Sequence, residues 1–308
     1  MELNINEEKF FIADWNENLT KDNKPYYRFV LYDSNSKQYN AIMFNIKGVS
    51  YKPSKGDVIL LNGVLQQYNG QMQLKILDVK KIDDGKSEDF IPKSIYDIEN
   101  MFINLKKVVF DNLKNENLIK LCSCFFNDND VTDKFKKMPA AKTIHHAYMG
   151  GLLEHTLSIV RLATIMSRHY NNYVNQDLLI IGALFHDLGK IYELDLTEGI
   201  NYSSSGRLVG HLLMGIEKIN EYIKTIEGFP AEMKDLIIHM IASHHGFLEF
   251  GSPQKPKTFE AIVLYYMDDL DAKINTISTI FDKEGIEEGW TSYDKLLERQ
   301  LFKHNIED

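Results

Sequence analysis

A histidine and an aspartate lie side by side in the most apolar helical stretch of the chain, DLLIIGALFHDLGKIYEL, residues 177–194. Burying the imidazole of His186 and the carboxylate of Asp187 in such surroundings costs on the order of several kcal/mol unless both groups are paired or bind a metal ion. The doublet therefore predicts either a tightly paired polar site or a metal centre.

Three other helical segments carry a histidine or an aspartate on an apolar face. His155 falls on the stripe of GGLLEHTLSIVRLATIM, His244 continues the stripe of AEMKDLIIHMIASHHG, and Asp268 lies within FEAIVLYYMDDLDAKI. A lone histidine on such a face is usually a core residue with a hydrogen-bond partner. One shared site explains all of them together, because imidazole and carboxylate are ligands that divalent metals prefer.

The order of these residues resembles the HD superfamily of metal-dependent phosphohydrolases, which are helical domains. His155 corresponds to the first ligand, His186 and Asp187 to the doublet, and Asp268, within YMDDLDA, to the last ligand. The resemblance covers residues 140–280 and implies that these four residues bind a divalent metal. The neighbouring Asp269 and Asp271 are interpreted as surface or outer carboxylates.

Three further histidines lie between the doublet and the last aspartate. HD proteins of the two-metal kind carry such histidines, so the resemblance implies that Asp187 bridges two ions and that the second ion is bound by His211 and by one or both of His244 and His245. In the one-metal alternative, these three histidines donate hydrogen bonds to a substrate phosphate.

A narrower resemblance extends over nearly the whole chain. HHAYMGGLLEHTLSIV, ALFHDLGK, GHLLMGIEKI and SHHGFLEFGSPQKPKTFEAIVLYYMDDLDAK, behind an N-terminal barrel, are similar to the YhaM family of 3′-to-5′ exoribonucleases. This resemblance implies hydrolysis of single-stranded RNA, with single-stranded DNA as a further candidate, to nucleoside 5′-monophosphates. The cofactor would be Mn²⁺, with Co²⁺ and Mg²⁺ as alternatives, in one or two ions.

The predicted chemistry is attack of a hydroxide, held at Asp187, in line on the terminal phosphorus. A metal ion lowers the pKa of a bound water to roughly 7. Lys190 either neutralises phosphate charge or only complements the end of its helix. Glu154 is interpreted as an orienting or a surface acid. The candidates for contact with substrate are His146, beside His145, and Arg207 in SSSGRLVGH. The alternatives are a structural role for at least one of the two histidines and a solvent-facing position for Arg207.

The sequence pattern of residues 1–82 is typical of a small β-barrel. Five short β-branched or aromatic runs are separated by turn residues, and Asn69-Gly70 between two of them is a strong hairpin signal. Five strands in so few residues predict a barrel of the OB-fold kind. Tyr26, Arg28 and Tyr32 alternate onto one face of PYYRFVLYD, where they could stack bases or contact phosphates. A role in filling the barrel or in contacting protein is the alternative.

The polar segment 83–94, DDGKSEDFIPKS, is predicted to be a linker. Residues 95–308 then read as helices, so the predicted architecture is multidomain: an OB-fold barrel followed by an all-α HD domain whose core is 140–280. Ser94, with Asp97 three residues later, is predicted to cap the first helix.

Bulk composition limits the class of protein. The net charge of −9 argues against broad, non-specific binding of nucleic acid, and only −1 of it falls within residues 1–90, which hold 12 basic and 13 acidic residues. The N-terminus lacks a signal-peptide pattern, and no run approaches the roughly 18 apolar residues of a membrane span. With Cys122 and Cys124 read as free thiols, we expect a cytoplasmic protein that is compatible with a monomer or a homo-oligomer.

Two other functions fit parts of the pattern. One is an HD-class phosphodiesterase or phosphohydrolase acting on cyclic dinucleotides or nucleotides, which would have no need of a barrel that holds a strand. The other is a non-catalytic nucleic-acid-binding protein with a helical scaffold, which the intact set of four HD residues disfavours.

Overall fold

The computed structural model describes residues 3–306 apart from residues 45, 47–50, 69–70, 84 and 144–145. The chain forms two compact units. The first consists of Met1–Lys93 together with Leu194–Tyr202, and the second consists of Ser94–Glu193 together with Ser203–Asp308. Neither unit is therefore one continuous stretch of sequence.

The first unit contains a closed barrel of five strands: β1 (Leu3–Leu19), β2 (Pro25–Asp33), β3 (Gln38–Met43), β4 (Val58–Tyr68) and β5 (Gln71–Ile82). The strands close in the order β1-β2-β3-β5-β4, and only β3 and β5 run parallel. This confirms the small N-terminal β-barrel predicted from the sequence. The predicted Asn69-Gly70 turn lies outside the described residues, and the flanking Tyr68 and Gln71 are paired.

Side chains that alternate along β2 help to fill the barrel. On β2, Phe29 and Leu31 are buried in the barrel core and Tyr27 packs against it, whereas Arg28 between them is exposed. Strand β1 is long enough to pair with both β2 and β4, and the β1–β2 register shifts between Ile12 and Asp14. Such an irregularity increases local bend and twist, which helps a sheet to close on itself.

A hairpin from the second half of the sequence belongs to the barrel unit. Its strands are β6 (Leu194–Asp195) and β7 (Asn201–Tyr202). Ser87 donates a hydrogen bond to the Leu196 carbonyl over 3.0 Å. Gly199 has a φ of +82°, and a Cβ there would lie 3.2 Å from the ring of Phe11. These contacts tie the hairpin to the barrel.

The segment predicted to be a linker packs in part on the barrel. Phe90 is only 4% exposed, and its ring stacks on Phe11 with centroids 6.3 Å apart. The barrel unit ends at Lys93. The structure thus differs from the predicted single boundary in two ways: most of 83–94 is attached to the barrel, and a later hairpin rejoins it.

The second unit is helical, with ten helices among the described residues and one pair of two-residue strands, β8 (Gly289–Trp290) and β9 (Phe302–Lys303), which qualifies the all-α prediction. The helices are α1 (Ile98–Asn112), α2 (Glu116–Asn127), α3 (Asn129–Lys137), α4 (Gly151–His169), α5 (Gln176–Phe185), α6 (Lys190–Glu193), α7 (Ser204–Val209), α8 (His211–Lys224), α9 (Ala231–Ser243) and α10 (Phe259–Glu284).

One apolar core holds these helices together. It runs from Leu105 and Val109 on α1 through Phe125 on α2 to Ile159 on α4 and Phe185 at the end of α5. None of the helices in the described ranges is long and apolar enough to cross a membrane.

Two details of the helical unit refine the sequence analysis. Helix α1 begins at Ile98, and its cap is Asp97, which accepts a hydrogen bond from the Asn100 amide over 2.7 Å, so the predicted cap at Ser94 is wrong. Cys122 is buried in the core, where burial raises the pKa of its thiol well above the ordinary value. Its burial identifies Cys122 as a packing residue.

Asp57 is a buried charge at the start of β4, and we expect it to stabilise the barrel. Its carboxylate accepts hydrogen bonds from the Tyr51 hydroxyl and, over 2.9 Å, from the Ser54 amide, and it lies 2.7 Å from the Lys81 ammonium. Burial raises the pKa of Asp57, but Lys81, Tyr51 and Ser54 together hold it below the ordinary value. We expect Asp57→Asn to lower the free energy of unfolding of the barrel by about 1–3 kcal/mol at neutral pH.

Urea unfolding of the full chain measures this effect in a Trp290→Phe background, where the barrel residue Trp15 is the only tryptophan. Asp78→Asn, the same change at an exposed position on β5, is the control. A lowered pKa stabilises above the unfolded value of 3.8, so the difference between the variants should shrink as pH falls through the folded pKa of Asp57. Equal unfolding of both variants at neutral pH would contradict the prediction.

Candidate metal centre

Five helix ends or helix faces of the second unit bring the predicted polar residues together. Close approach of α8 to the turn after α5 requires glycine, because a Cβ on Gly189 would lie 1.9 Å from the His211 carbonyl oxygen. The assembled residues are His155 on α4, His186 and Asp187 directly after α5, His211 at the start of α8, His244 and His245 directly after α9, and Asp268 on α10.

One group of ligand atoms comes from His155, His186 and Asp268. The Nε2 atoms of the two histidines are 3.2 Å apart, and Asp268 Oδ1 lies 3.1 Å from His155 Nε2 and 3.9 Å from His186 Nε2. Both imidazoles are fully buried. These atoms are close enough to bind a single ion, and we call them the first group.

A second group consists of Asp187, His211, His244 and His245. The Nε2 atoms of His211 and His245 are 3.3 Å apart. Asp187 Oδ1 lies 3.5 Å from His244 Nε2 and 3.7 Å from His211 Nε2. These atoms could also hold one ion.

The two oxygens of Asp187 point in different directions, one toward the histidines of the second group and one toward the histidines of the first group. While Oδ1 faces the second group, Oδ2 lies 3.3 Å from His186 Nε2 and 3.7 Å from His155 Nε2. Oδ2 also lies 2.6 Å from the Lys190 ammonium, three residues along the chain. The carboxylate is therefore placed where it could bridge two cations.

Hydrogen bonds at the Nδ1 atoms determine which nitrogen each imidazole presents to the site. His186 Nδ1 lies 3.0 Å from the Ala183 carbonyl, and His244 Nδ1 lies 2.8 Å from the Ile241 carbonyl. A carbonyl oxygen only accepts, so both Nδ1 atoms carry the hydrogen and both Nε2 atoms present lone pairs. His155 and His211 have carboxylates as partners at Nδ1, with the same consequence.

The donor set fits a cation. Asp187 Oδ1 and His244 Nε2 are buried, and within the described part of the chain neither has a hydrogen-bond partner. The lone pairs of His155 and His186 face each other, an arrangement that only a shared proton or a cation makes favourable. Leaving Asp187 Oδ1 and His244 Nε2 buried without a partner costs free energy, which a bound cation would recover. Neutral imidazole together with carboxylate suits divalent transition metals.

The electrostatics of the site favour the ligating forms of these groups. Burial raises the pKa of Asp187, but Lys190 and His186 hold it well below the ordinary value. Burial likewise raises the pKa of Asp268, and the hydrogen bond with His155 lowers it overall. Burial and His244 lower the pKa of His245 to about 3, so this imidazole is neutral.

The pKa of His155 is shifted in the opposite direction to that of His245. Burial lowers its pKa, but Asp268 and Asp271 on either side raise it to about 9. The two carboxylates thus attract positive charge to this imidazole. A proton or a metal ion at Nε2 satisfies the same demand, so metal binding and protonation compete at this atom.

Two carboxylates contact the histidines from outside: Asp271, for which the sequence predicted a surface or outer position, and Glu193, which the sequence did not single out. Asp271 Oδ2 lies 2.8 Å from His155 Nδ1, and Glu193 Oε1 lies 3.0 Å from His211 Nδ1. Burial raises the pKa of Asp271, and hydrogen bonds with His146 and His155 lower it below the ordinary value. The spacing of Asp271 three residues after Asp268, which places both on one helix face, was an available signal.

The structure separates the two aspartates that the sequence analysis treated alike. The Asp269 side chain is 39% exposed and pairs with Lys273 over 2.6 Å, whereas the Asp271 side chain is 13% exposed and contacts His155. Glu154 accepts hydrogen bonds from the Ser94 hydroxyl and, over 2.9 Å, from the Tyr148 hydroxyl.

The predicted substrate contacts of the helical unit occupy different environments. Arg207 is exposed on α7. His146 is only 4% exposed, and its ring nitrogens lie 2.9 Å from the Tyr148 hydroxyl and 3.0 Å from Asp271 Oδ2. His145 lies outside the described residues.

The barrel residues predicted to contact nucleic acid have different neighbours. Tyr26 packs against Phe44 with centroids 5.4 Å apart, while Tyr32 packs against the separate apolar cluster of Phe11, Val58 and Phe90 and donates a hydrogen bond to Gln38. Burial raises the pKa of Tyr32. Arg28 lines an open groove whose other polar walls are Asp14, Asn16, Asn40 and Gln73.

Comparison with known proteins finds a matching family for the helical unit and relatives that cover most of the chain. The HD domain family matches residues 152–273, which contain every residue of both groups. A 3′-5′ exoribonuclease YhaM of Geobacillus sp. strain WCH70 is 32% identical over 229 residues, which cover 73% of this chain and 69% of that protein. The YhaM of Listeria welshimeri is 31% identical over 83% of this chain and 82% of its own length. The YhaM of Bacillus subtilis strain 168 is 28% identical over 86% and 84%.

The convergence of lone pairs predicts that a divalent metal stabilises the fold. After treatment with a chelator, addition of Mn²⁺ should raise the melting temperature, because an ion at 100 times its Kd adds about 2.7 kcal/mol to the native state. Asp187→Asn should lose most of this gain, and Asp269→Asn, whose carboxylate pairs with Lys273 outside both groups, should retain it. Differential scanning calorimetry measures the shift, and an equal gain in the Asp187 variant would contradict the assignment.

Proposed function

The chain belongs to the YhaM family of 3′-5′ exoribonucleases, and we propose that it removes nucleotides one at a time from the 3′ end of single-stranded RNA as nucleoside 5′-monophosphates. It is an HD-type phosphodiester hydrolase. Single-stranded DNA is proposed as a second substrate. The observation that supports this proposal best is the buried pair of ligand groups that share Asp187.

We assign two ions to the two groups. His155, His186 and Asp268 would hold one ion, His211, His244 and His245 would hold the other, and Asp187 would contact both. When bound, such ions act as Lewis acids toward phosphoryl oxygens and lower the pKa of water. Imidazole nitrogens together with carboxylate oxygens suit Mn²⁺, which is the proposed cofactor, with Co²⁺ and Mg²⁺ as alternatives.

Asp187 and Lys190 contribute charges to the proposed site. Asp187 stays ionised at neutral pH because Lys190 and His186 favour its carboxylate, so it acts as a ligand and not as a proton donor. The Lys190 ammonium, 11% exposed and 2.6 Å from Asp187, lies beside the site where a phosphate would be held. There it would neutralise charge on the phosphate or on the leaving oxygen, and the low dielectric of its surroundings strengthens that effect.

We propose that the barrel acts as an OB-fold that holds the strand upstream of its 3′ end. Five strands, the closing order β1-β2-β3-β5-β4 and a groove containing Arg28 support this role. Exposed aromatic and basic side chains suit a strand of any sequence, because bases stack and phosphates pair without regard to sequence. A cytoplasmic location and self-association stay predictions.

A time course with 5′-labelled single-stranded RNA and Mn²⁺ tests the proposed function. We expect a ladder that shortens from the 3′ end, release of nucleoside 5′-monophosphates, and no cleavage of a circular RNA of the same sequence, because an exonuclease needs an end. Asp187→Asn should abolish cleavage, while Asp269→Asn should cleave as the wild type does. A DNA oligonucleotide of the same sequence tests the second substrate.

Lys190→Met in the same assay tests the charge assigned to this side chain. A lost group that stabilises transition-state charge typically costs about 10²- to 10³-fold in kcat. Lys273→Met, which removes an exposed lysine, is the matched control. If circular RNA is cut, or if the wild type cuts no RNA but cleaves cyclic dinucleotides, the exonuclease proposal fails.

Arg28 provides a test of the barrel. We expect Arg28→Ala to weaken binding of single-stranded RNA and to reduce the slope of log Kd against log salt by about 1, because one phosphate contact is lost. Fluorescence anisotropy in the presence of chelator measures binding without cleavage. Lys21→Ala, at an exposed position between β1 and β2, is the control. An unchanged slope for Arg28→Ala would show that RNA does not contact this groove.

A further inference from the structure

We propose that Asp271 and His146 form a positioning pair for His155, and that His146 acts through this pair without touching RNA. The inference rests on the proposed function only in treating His155 as a metal ligand. Of the two roles that the sequence leaves open for His146, contact with substrate and a role inside the protein, it selects the second.

Three hydrogen-bonding groups hold the Asp271 carboxylate in one orientation. Its Oδ2 lies 2.8 Å from His155 Nδ1 and 3.0 Å from His146 Nε2, and its Oδ1 accepts a hydrogen bond from the Ser158 hydroxyl. Its side chain is only 13% exposed. The carboxylate therefore fixes the ring plane of His155 and directs Nε2 toward His186 and Asp268. A carboxylate at Nδ1 also makes the imidazole more basic, which strengthens it as a ligand.

His146 is held in place from several sides. Its ring contacts the Tyr148 hydroxyl over 2.9 Å, and its backbone amide donates to Asn275 Oδ1 over 2.8 Å. Its φ is +47°, a left-handed conformation that is uncommon outside glycine. Backbone strain of this kind persists where the surroundings impose it and is often found at functional sites.

The turn after His146 is built to permit that conformation. A Cβ on Gly151 would lie 2.1 Å from the His146 carbonyl oxygen, so α4 can begin beneath this residue only with glycine there. The hydrogen bond from Tyr148 to Glu154 holds the turn against the same helix that carries His155. The buried ring, with contacts at both nitrogens, is poorly placed to meet a phosphate.

The second group has a counterpart that serves as an internal comparator. Glu193 Oε1 lies 3.0 Å from His211 Nδ1 and accepts the His211 backbone amide over 3.1 Å. Each group thus contains one histidine that is oriented by a carboxylate and one that is oriented by a backbone carbonyl. Loss of such a carboxylate typically lowers metal affinity about 10- to 100-fold.

Calorimetric titration of Mn²⁺ into the metal-free full chain tests the proposal. We expect Asp271→Asn to weaken one class of Mn²⁺ site about 10-fold or more, and that class should be the one that His155→Ala removes. Glu193→Gln should weaken the other class. Asp269→Asn should match the wild type. Because an asparagine oxygen can still accept from His155 and His146, the variant removes the carboxylate charge and, besides it, only the acceptor that faces Ser158.

His146→Asn distinguishes the positioning role from contact with RNA. Asparagine tolerates the left-handed conformation but cannot reproduce the ring contact with Asp271. We expect weaker Mn²⁺ binding in the His155 class, by roughly 2- to 10-fold, the cost of one hydrogen bond. RNA affinity, measured by anisotropy in chelator, should be unchanged. Reduced RNA affinity with unchanged Mn²⁺ affinity would overturn the proposal.

The outcomes separate this proposal from the proposed function. A wild type that cuts RNA, together with an Asp271→Asn variant that binds Mn²⁺ like the wild type, would refute the positioning pair alone. A wild type that cuts no RNA, with the expected loss of Mn²⁺ affinity in Asp271→Asn, would refute the function alone. If Asp271→Asn fails to fold, Ser158→Ala removes one hydrogen bond to the same carboxylate, and roughly 2- to 10-fold weaker Mn²⁺ binding is expected.

Discussion

The placement of one ionised carboxylate in an apolar interior is the constraint on which the helical unit depends. Asp187 is 2% exposed, and its two oxygens face two separate sets of imidazole nitrogens. A charge at this position is tolerated because Lys190 lies against it and because cations can bind on either side. Most of the candidate ligands lie at or next to helix ends, whereas Asp268 lies within α10, and Gly189 lets α8 approach the turn after α5 closely.

Polarity in this interior is organised in layers around that carboxylate. The inner atoms are imidazole Nε2 and carboxylate oxygens, and two of them, Asp187 Oδ1 and His244 Nε2, have no hydrogen-bond partner among the described residues. The next layer consists of Asp271, Glu193 and two backbone carbonyls, each of which occupies an Nδ1 atom. Beyond it, hydrophobic side chains exclude water and lower the dielectric constant. In such surroundings an unpaired charge is costly, and the attraction between paired charges is strong.

Sequence patterns predicted the barrel, the helical half and the residues that gather at the site, because each depends on periodicity or on residue type. The cap of the first helix differed by three residues, since Ser94 and Asp97 both suit that position and packing decides between them. The spacing of Asp271 after Asp268 gives its helix face but not its partner, and the role of Glu193 depends on the direction of its side chain in three dimensions, which one-dimensional spacing does not encode. The hairpin of Leu194–Tyr202 has no pattern that links it to the barrel, because its partners are more than a hundred residues earlier.

That hairpin has a consequence for how the chain is made. During synthesis, residues 1–93 leave the ribosome long before Leu194–Tyr202, so the barrel unit stays without this part of its surface until about two thirds of the protein has been translated. The barrel unit is therefore completed only after part of the helical unit has been synthesised, although the two sequences look separable. A fragment cut at residue 94 would divide the barrel unit, and a useful boundary for dissecting this enzyme has to keep both segments in one polypeptide.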